Sequence, residues 1–285
     1  MKELRLATDD LDVVVLPEAG GRLHRLRAFG VDVLRTPDDP AAHLRDPFYW
    51  GSYPMLPWCG RVASGRASVA GRQVDLPANH PDGWAIHGQA YVAPWQVIDD
   101  HALRFEGGGG GWPWTYEARQ TFTVEGASIT VELAIKNSDD SPMPAGIGLH
   151  PWFAGPPLLR IPAELAYDDN TKSSPAAVPV AGDYDLRSLR ELAPGMDSTW
   201  TGLRERRVQL AWPTRAIRGE MVARTSSNLV FVSARPLDHL DAIALEPQTH
   251  APQGLRRLIN NEPEPLALLG PAETLSLAMT LRFER

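Results

Sequence analysis

Cysteine is almost absent from this 285-residue chain: Cys59 stands alone, so no intrachain disulfide can form and no cysteine metal cluster exists. The opening stretch "MKELRLATDD" has no apolar core, so no secretory signal is read. No window approaches the ~20 apolar residues of a membrane span. A soluble, cytoplasmic protein is therefore the expectation. Positive charge is not in surplus either, with 28 Lys and Arg against 35 Asp and Glu and a net charge of -7. Phosphate-backbone affinity rests on Lys and Arg, so neither a nucleic-acid nor a membrane partner is expected. The eight histidines show no HExxH or other ligand spacing, and no metal site is read. There is no G-x-S-x-G around a serine. The glycine run in "FEGGGGGW" (105–112) lacks the Lys-Ser/Thr of a phosphate loop and reads as a flexible hairpin connection. Long helical periodicity is missing as well.

What is present is period two. In "SITVELAI", Ile129, Val131, Leu133 and Ile135 alternate with polar or small residues, and Leu275, Leu277, Met279, Leu281 and Phe283 repeat the pattern near the end. Residues 11–16, 114–124, 206–212, 228–234 and 241–246 read as further strands, and 66–76 as a hairpin turning near Gly71. Short helices fit 39–46 and 252–261 only. Many strands without strand–helix alternation predict a mostly β fold, a large antiparallel β-sandwich with a few short helices. No clean linker interrupts it, so one domain over 1–285 is expected, with 175–195 as a long loop over the sandwich. Nine tryptophans suit either a core or sugar rings.

Four polar residues lie in otherwise apolar or turn-rich stretches: Arg61 in "PMLPWCGRVASGR", His87 in "DGWAIHGQA", His150 in "AGIGLHPWFAGPP" and Glu246 in "DAIALEPQTHAPQG". Strand ends and the loops beyond them are where rigid scaffolds place site residues. A carboxylate and an imidazole are the smallest set able to move two protons near neutrality. Pro151 restricts His150 to extended backbone. Cys59, beside Gly60-Arg61, reads as a lone buried thiol. His24, His43, His101 and His239 lie in ordinary polar surroundings and receive no role.

At these residues the chain resembles the aldose 1-epimerase (galactose mutarotase) family. The likeness runs from "GGRLHRLRAFGVDVL" (20–34) to the last strand and includes "GMDSTWTGL"; "GLHPWF" and "EPQT" are its most telling parts. It implies a sandwich with a sugar site on one concave sheet and a small-molecule sugar as partner. Carried over, Glu246 is the general base that removes the anomeric hydroxyl proton, and His150 is the acid that protonates the ring oxygen. His87 and Arg61 hydrogen-bond sugar oxygens, Asp197 binds sugar hydroxyls, and Trp152 is a sugar-facing or site-supporting ring. A nearby carboxylate should favour protonated His150. This chemistry requires no metal, nucleotide or redox cofactor. A monomer or homodimer is the expected assembly.

Gly60 stands where the family often has Asn, and Trp152 where it often has Tyr. The expected activity is interconversion of the α and β anomers of a free aldohexose. Arg61, Arg66 and Arg72 keep an anionic sugar, phosphorylated or sulfonated, as an alternative. A non-catalytic sugar-binding module on the same fold is a third reading.

Overall fold

The alternating stretches Ser128–Asn137 and Thr274–Glu284 are neighbouring antiparallel strands, with Ile129 opposite Leu281 and Ile135 opposite Leu275. Successive side chains of a strand point to opposite faces, so one face becomes wholly apolar. Trp112–Glu125 pairs on the other side and adds Trp112, Trp114, Tyr116 and Phe122 to that face. The computed structural model describes every residue except 63, 64, 173, 174, 228 and 229, together with the backbone but not the side chains of residues 65 and 238. This sheet has eight strands; the three named above are continued by Ile217–Thr225, Arg207–Trp212 and Leu158–Arg160 on one side and by Ala102–Gly109 and Gln96–Asp99 on the other. Its outer face carries polar residues such as Thr121, Glu132 and Arg224.

The second sheet has eleven strands. Its middle runs Arg22–Ala28, Ser52–Met55, Gly148–Ala154, Ala242–Gln248, Phe231–Leu237 and Ser198–Thr201. Leu26, Leu149, Phe153 and Leu245 of this sheet share one core with Trp114, Leu133 and Leu277 of the other, which makes the structure a sandwich. Among the described residues the α-helices are Ala42–Arg45 and Gly254–Ile259. The expected loop over 175–195 instead contributes an edge strand, Ala177–Pro179, and a single 3-10 turn, Gly182–Tyr184. The strand expected over 228–234 is seen as Phe231–Leu237; residues 228 and 229 lie outside the described residues. The glycine run is a hairpin connection between Ala102–Gly109 and Trp112–Glu125.

The central strands of the large sheet are covered on both faces, and all seven residues of Ala242–Gln248 are buried. Their sequences therefore lack clean apolar–polar alternation, although the alternation of faces persists. Leu149 and Phe153 enter the sandwich core, while His150 and Trp152 turn to the opposite, concave side. Four residues on that side, Tyr53, His150, Arg235 and Glu246, are each followed by proline. Proline holds its predecessor in extended backbone and supplies no N–H. The ladder between Gly148–Ala154 and Ala242–Gln248 is accordingly open between Gly148/Gln248 and Trp152/Ala244. Proline inside central strands goes against ordinary sheet preference, and here it clusters at one spot.

Leu149 is one residue from His150 but on the core face. Leu149→Ala should cost about 2–5 kcal/mol of stability in urea unfolding; a loss below about 1 kcal/mol would show that this face is not the packed one.

Candidate active site

Register builds the site. The pairs Gly148/Gln248 and Trp152/Ala244 place His150 opposite Glu246, Tyr53 pairs with His150, Ser233 with Glu246 and Thr199 with Ser233. Five side chains from five adjacent strands thus stand in one row on the concave face. They line one pocket. Arg61, His87, Trp152 and Asp197 line the same pocket, so the structure brings together all six residues singled out in the sequence.

His150 Nε2 lies 3.1 Å from Glu246 Oε1, and both residues are buried. Burial pushes the Glu246 carboxyl up to about 8, helped by the charge of Asp197 and opposed by Arg235 and Arg61. Burial pushes His150 down to about 3. Glu246 is the carboxyl group expected beside His150, while burial works against the protonated imidazole that this neighbour was expected to favour. Tyr53 stacks on the His150 ring with centroids 4.5 Å apart and planes 23° apart, while its hydroxyl donates to the Phe48 carbonyl. Trp152 also lies against the ring, with centroids 5.1 Å apart, and its indole N–H is donated to the same carbonyl at 2.6 Å, which fixes the ring and spends its polar edge.

His87 accepts the Gly60 N–H at Nδ1 over 3.2 Å, which places the imidazole proton on Nε2 as a donor. Burial and the charges of His150 and Arg61 hold His87 well below the usual range, so it stays neutral. His87 and Gly88 both have positive φ, and a Cβ on Gly88 would stand 1.9 Å from the Leu56 carbonyl oxygen; only glycine fits after this histidine. Gly60 also has a left-handed backbone, φ 63°, and a Cβ there would meet nothing. Asn tolerates that conformation, so the family's usual residue fits the same backbone and Gly60 removes only its amide. The preceding N–H, of Cys59, is accepted by Nε2 of the buried His250 at 3.0 Å. Two histidines therefore hold the turn that carries Arg61.

Arg61 gives Nε to Asp82 at 2.9 Å and Nη1 to Asp197 at 3.2 Å. Asp197 also accepts from the Asn170 amide at 3.1 Å, and Arg235 stands 3.8 Å away. Thr199 bonds Asn170 Oδ1 at 2.9 Å and the Ser233 hydroxyl at 2.6 Å, and the Gln248 amide donates to Ser233 at 2.7 Å. Asn170, Thr199, Ser233, Arg235 and Gln248 were not singled out in the sequence. Alternation from Glu246 would have found Gln248; nothing local marks the others.

Two expectations change. His24 and His43 are buried rather than in polar surroundings: Arg22, itself buried, reaches His43 Nδ1 at 3.3 Å, and His43 Nε2 meets His24 Nδ1 at 2.9 Å. The Arg22 guanidinium also bonds three backbone carbonyls and lies 5.1 Å from the centroid of Tyr53, beneath the site. Arg66 and Arg72 do not line the pocket; they pair with Asp75 at 3.1 Å and Asp139 at 2.6 Å. Cys59 is the buried thiol expected, and burial holds it protonated.

A mostly β sandwich that buries a carboxyl–imidazole pair in a polar pocket of its larger sheet defines a class, and comparison with known proteins agrees. The family model for aldose 1-epimerase matches residues 2–281, and the chain belongs to that family. A protein of Escherichia coli (strain K12), YphB, is 27% identical over 248 residues, 81% of this chain and 83% of that one. The fold matches a galactose mutarotase-like protein from Clostridium acetobutylicum at a TM-score of 0.84, with 16% identity and 99% and 94% of the two chains covered. It also matches a galactose 1-epimerase from Lactobacillus acidophilus at 0.76, with 18% identity and 99% and 94% covered.

The raised pKa of Glu246 has a thermodynamic consequence. Unfolded, this carboxyl ionises near 4.5; folded, near 8. The folded chain therefore holds the extra proton between these values, and its contribution to stability is full below 4.5 and lost as pH rises through 8. Glu246→Gln, which has no proton to lose, should gain on the order of 1 kcal/mol per pH unit over wild type between pH 5 and 8, roughly 2–4 °C in Tm per unit. A constant Tm difference across that range would contradict the burial argument.

Proposed function

We propose that the protein is an aldose 1-epimerase acting on a free aldohexose through Glu246 and His150. The observation that carries this is the 3.1 Å contact of the buried pair at the floor of a polar pocket. The pair holds one mobile proton. Moving it from Glu246 Oε1 to His150 Nε2 yields carboxylate and imidazolium without changing the proton count. Glu246 then takes the proton of the C1 hydroxyl while His150 gives its Nε2 proton to the ring oxygen. The C1–O5 bond breaks, C1=O forms, and both side chains return to their neutral forms. Rotation about C1–C2 and the reverse transfers close the other anomer. The dry site disfavours the charged pair, so it favours the state that accompanies the open chain. His87 Nε2–H and Arg61 Nη2 supply hydrogen bonds to sugar oxygens, Asp197 accepts from hydroxyls, and Trp152 walls the site.

An anionic substrate needs several guanidinium groups at the rim. Among the described residues the pocket-lining arginines are Arg61, already committed to two aspartates, and Arg235, beside Asp197. This favours the neutral sugar. The close approach of Glu246 and His150 favours an enzyme over a module that only binds.

Optical rotation or exchange NMR of fresh α-glucose and α-galactose tests the reading. Glu246→Gln should lower kcat by about 10²–10⁴-fold, the span ordinarily lost with an acid–base group; near-wild-type turnover would remove the assignment. Because the pair needs its shared proton, the enzymatic rate should fall as pH rises through about 8, and the apparent pKa belongs to the pair. A rate still rising with pH beyond 9, after subtraction of the buffer reaction, would contradict it.

A further inference from the structure

Gln248 and Gln253 line the pocket, and the amide carbonyl of each is buried without a donor. Gln248 and Gln253 are 3% and 1% exposed, and neither Oε1 meets a hydrogen-bond partner among the described residues. Unpaired buried carbonyls are costly and call for an explanation. Both amides are held by their nitrogen ends: Gln248 Nε2 donates to Ser233 Oγ at 2.7 Å and Gln253 Nε2 to the Lys172 carbonyl at 3.3 Å.

The orientation of Gln248 follows from the charge at the far end of its chain of contacts. Asp197 is an acceptor, so Asn170 must turn its NH₂ to it and its oxygen to Thr199. Thr199 spends its proton on that oxygen, so the Ser233 hydroxyl donates to Thr199. Ser233 is left as an acceptor, and only the NH₂ of Gln248 can face it. Turning the amide over would set two oxygens against each other. The free Oε1 is thus a consequence of Asp197, two strands away along the sheet. Elsewhere in the pocket Arg61, Arg235 and His87 Nε2 can only donate.

We propose that Gln248 and Gln253 form a specificity site that reads one sugar hydroxyl, remote from C1, as a hydrogen-bond donor. The substrate class is then an uncharged sugar with a free hydroxyl at that position, since a phosphate, sulfonate, ether or fluorine there has no proton to give. This rests on the sugar-binding reading above and adds to it which property of the hydroxyl is recognised. Sites built to pair with a substrate hydroxyl reject analogues that lack it far more strongly than apolar pockets reject a missing methylene.

The aldose turned over best is compared with its 3-, 4- and 6-deoxy and deoxyfluoro analogues, in turnover by exchange NMR and in binding by calorimetry. At one position both analogues should lose a hundredfold or more in kcat/KM and bind correspondingly weakly, fluorine being no better than hydrogen. Gln253→Met and Gln248→Met, checked for folding by thermal melts, should shrink that discrimination at least tenfold at the same position and leave the other positions unchanged. Tolerance of fluorine at all three positions in the wild type overturns the proposal, and so does undiminished discrimination in both folded variants. If the variants do not fold, the wild-type comparison decides. If aldoses bind without being turned over, the binding comparison still decides this site while the epimerase reading falls; if no aldose binds, both fall.

Discussion

The contact between Glu246 and His150 sits where neither partner can keep a charge alone. Both residues are buried, and a lone carboxylate or imidazolium there is strongly disfavoured. The environment tolerates one proton shared between two groups. Much of the surrounding structure serves to keep that pair in reach and in line. Tyr53 stacks on the imidazole and Trp152 lies against it, two prolines fix the backbones that carry the pair, and Asp197 with Arg61 and Arg235 sets the field at its open side. Beneath Tyr53, Arg22 is buried with backbone carbonyls and a histidine as partners, a cation one aromatic ring away from His150.

The eight-stranded sheet was the most legible part of the chain. One of its faces meets solvent, so Ile129 to Ile135 and Leu275 to Phe283 show their alternation openly. The large sheet was harder to read, because strands such as Ala242–Gln248 are buried on both faces and lack the usual contrast of a buried and a solvent-facing side. His150, Glu246, His87 and Arg61 stood out because a titratable group in an apolar stretch is conspicuous. Asp197, in "GMDSTW", had no such setting and entered through family resemblance. Asn170 follows two aspartates in a polar run and looks like any turn residue. Its importance comes from lying beside Asp197, which only the folded path reveals. His24 and His43 were misread for a related reason: the fold brings a strand and a short helix together around the buried Arg22, and local composition does not show that burial.

The site also shows a division of labour between precision and stability. The core-facing residues of the central strands, Leu149, Phe153 and Leu245, belong to the shared hydrophobic cluster. One residue along each strand, the concave face holds groups whose burial costs stability. A polypeptide can maintain such a face only when the opposite one packs well, and the pleat places the two costs and gains on alternate residues of the same few strands.

The prolines after Tyr53, His150, Arg235 and Glu246 reach beyond backbone geometry. A sheet strand can in principle slide along its neighbour, and a slip of one residue would send His150 or Glu246 into the sandwich core. Four adjoining strands each carry a position that cannot donate, and those positions match only in the native alignment. A displaced alignment would set a proline nitrogen against a carbonyl that needs a partner while also burying a polar side chain among leucines. The prolines thus act as a keyed lock on alignment: the features that bring acid and base face to face also exclude the sheets in which they would not meet.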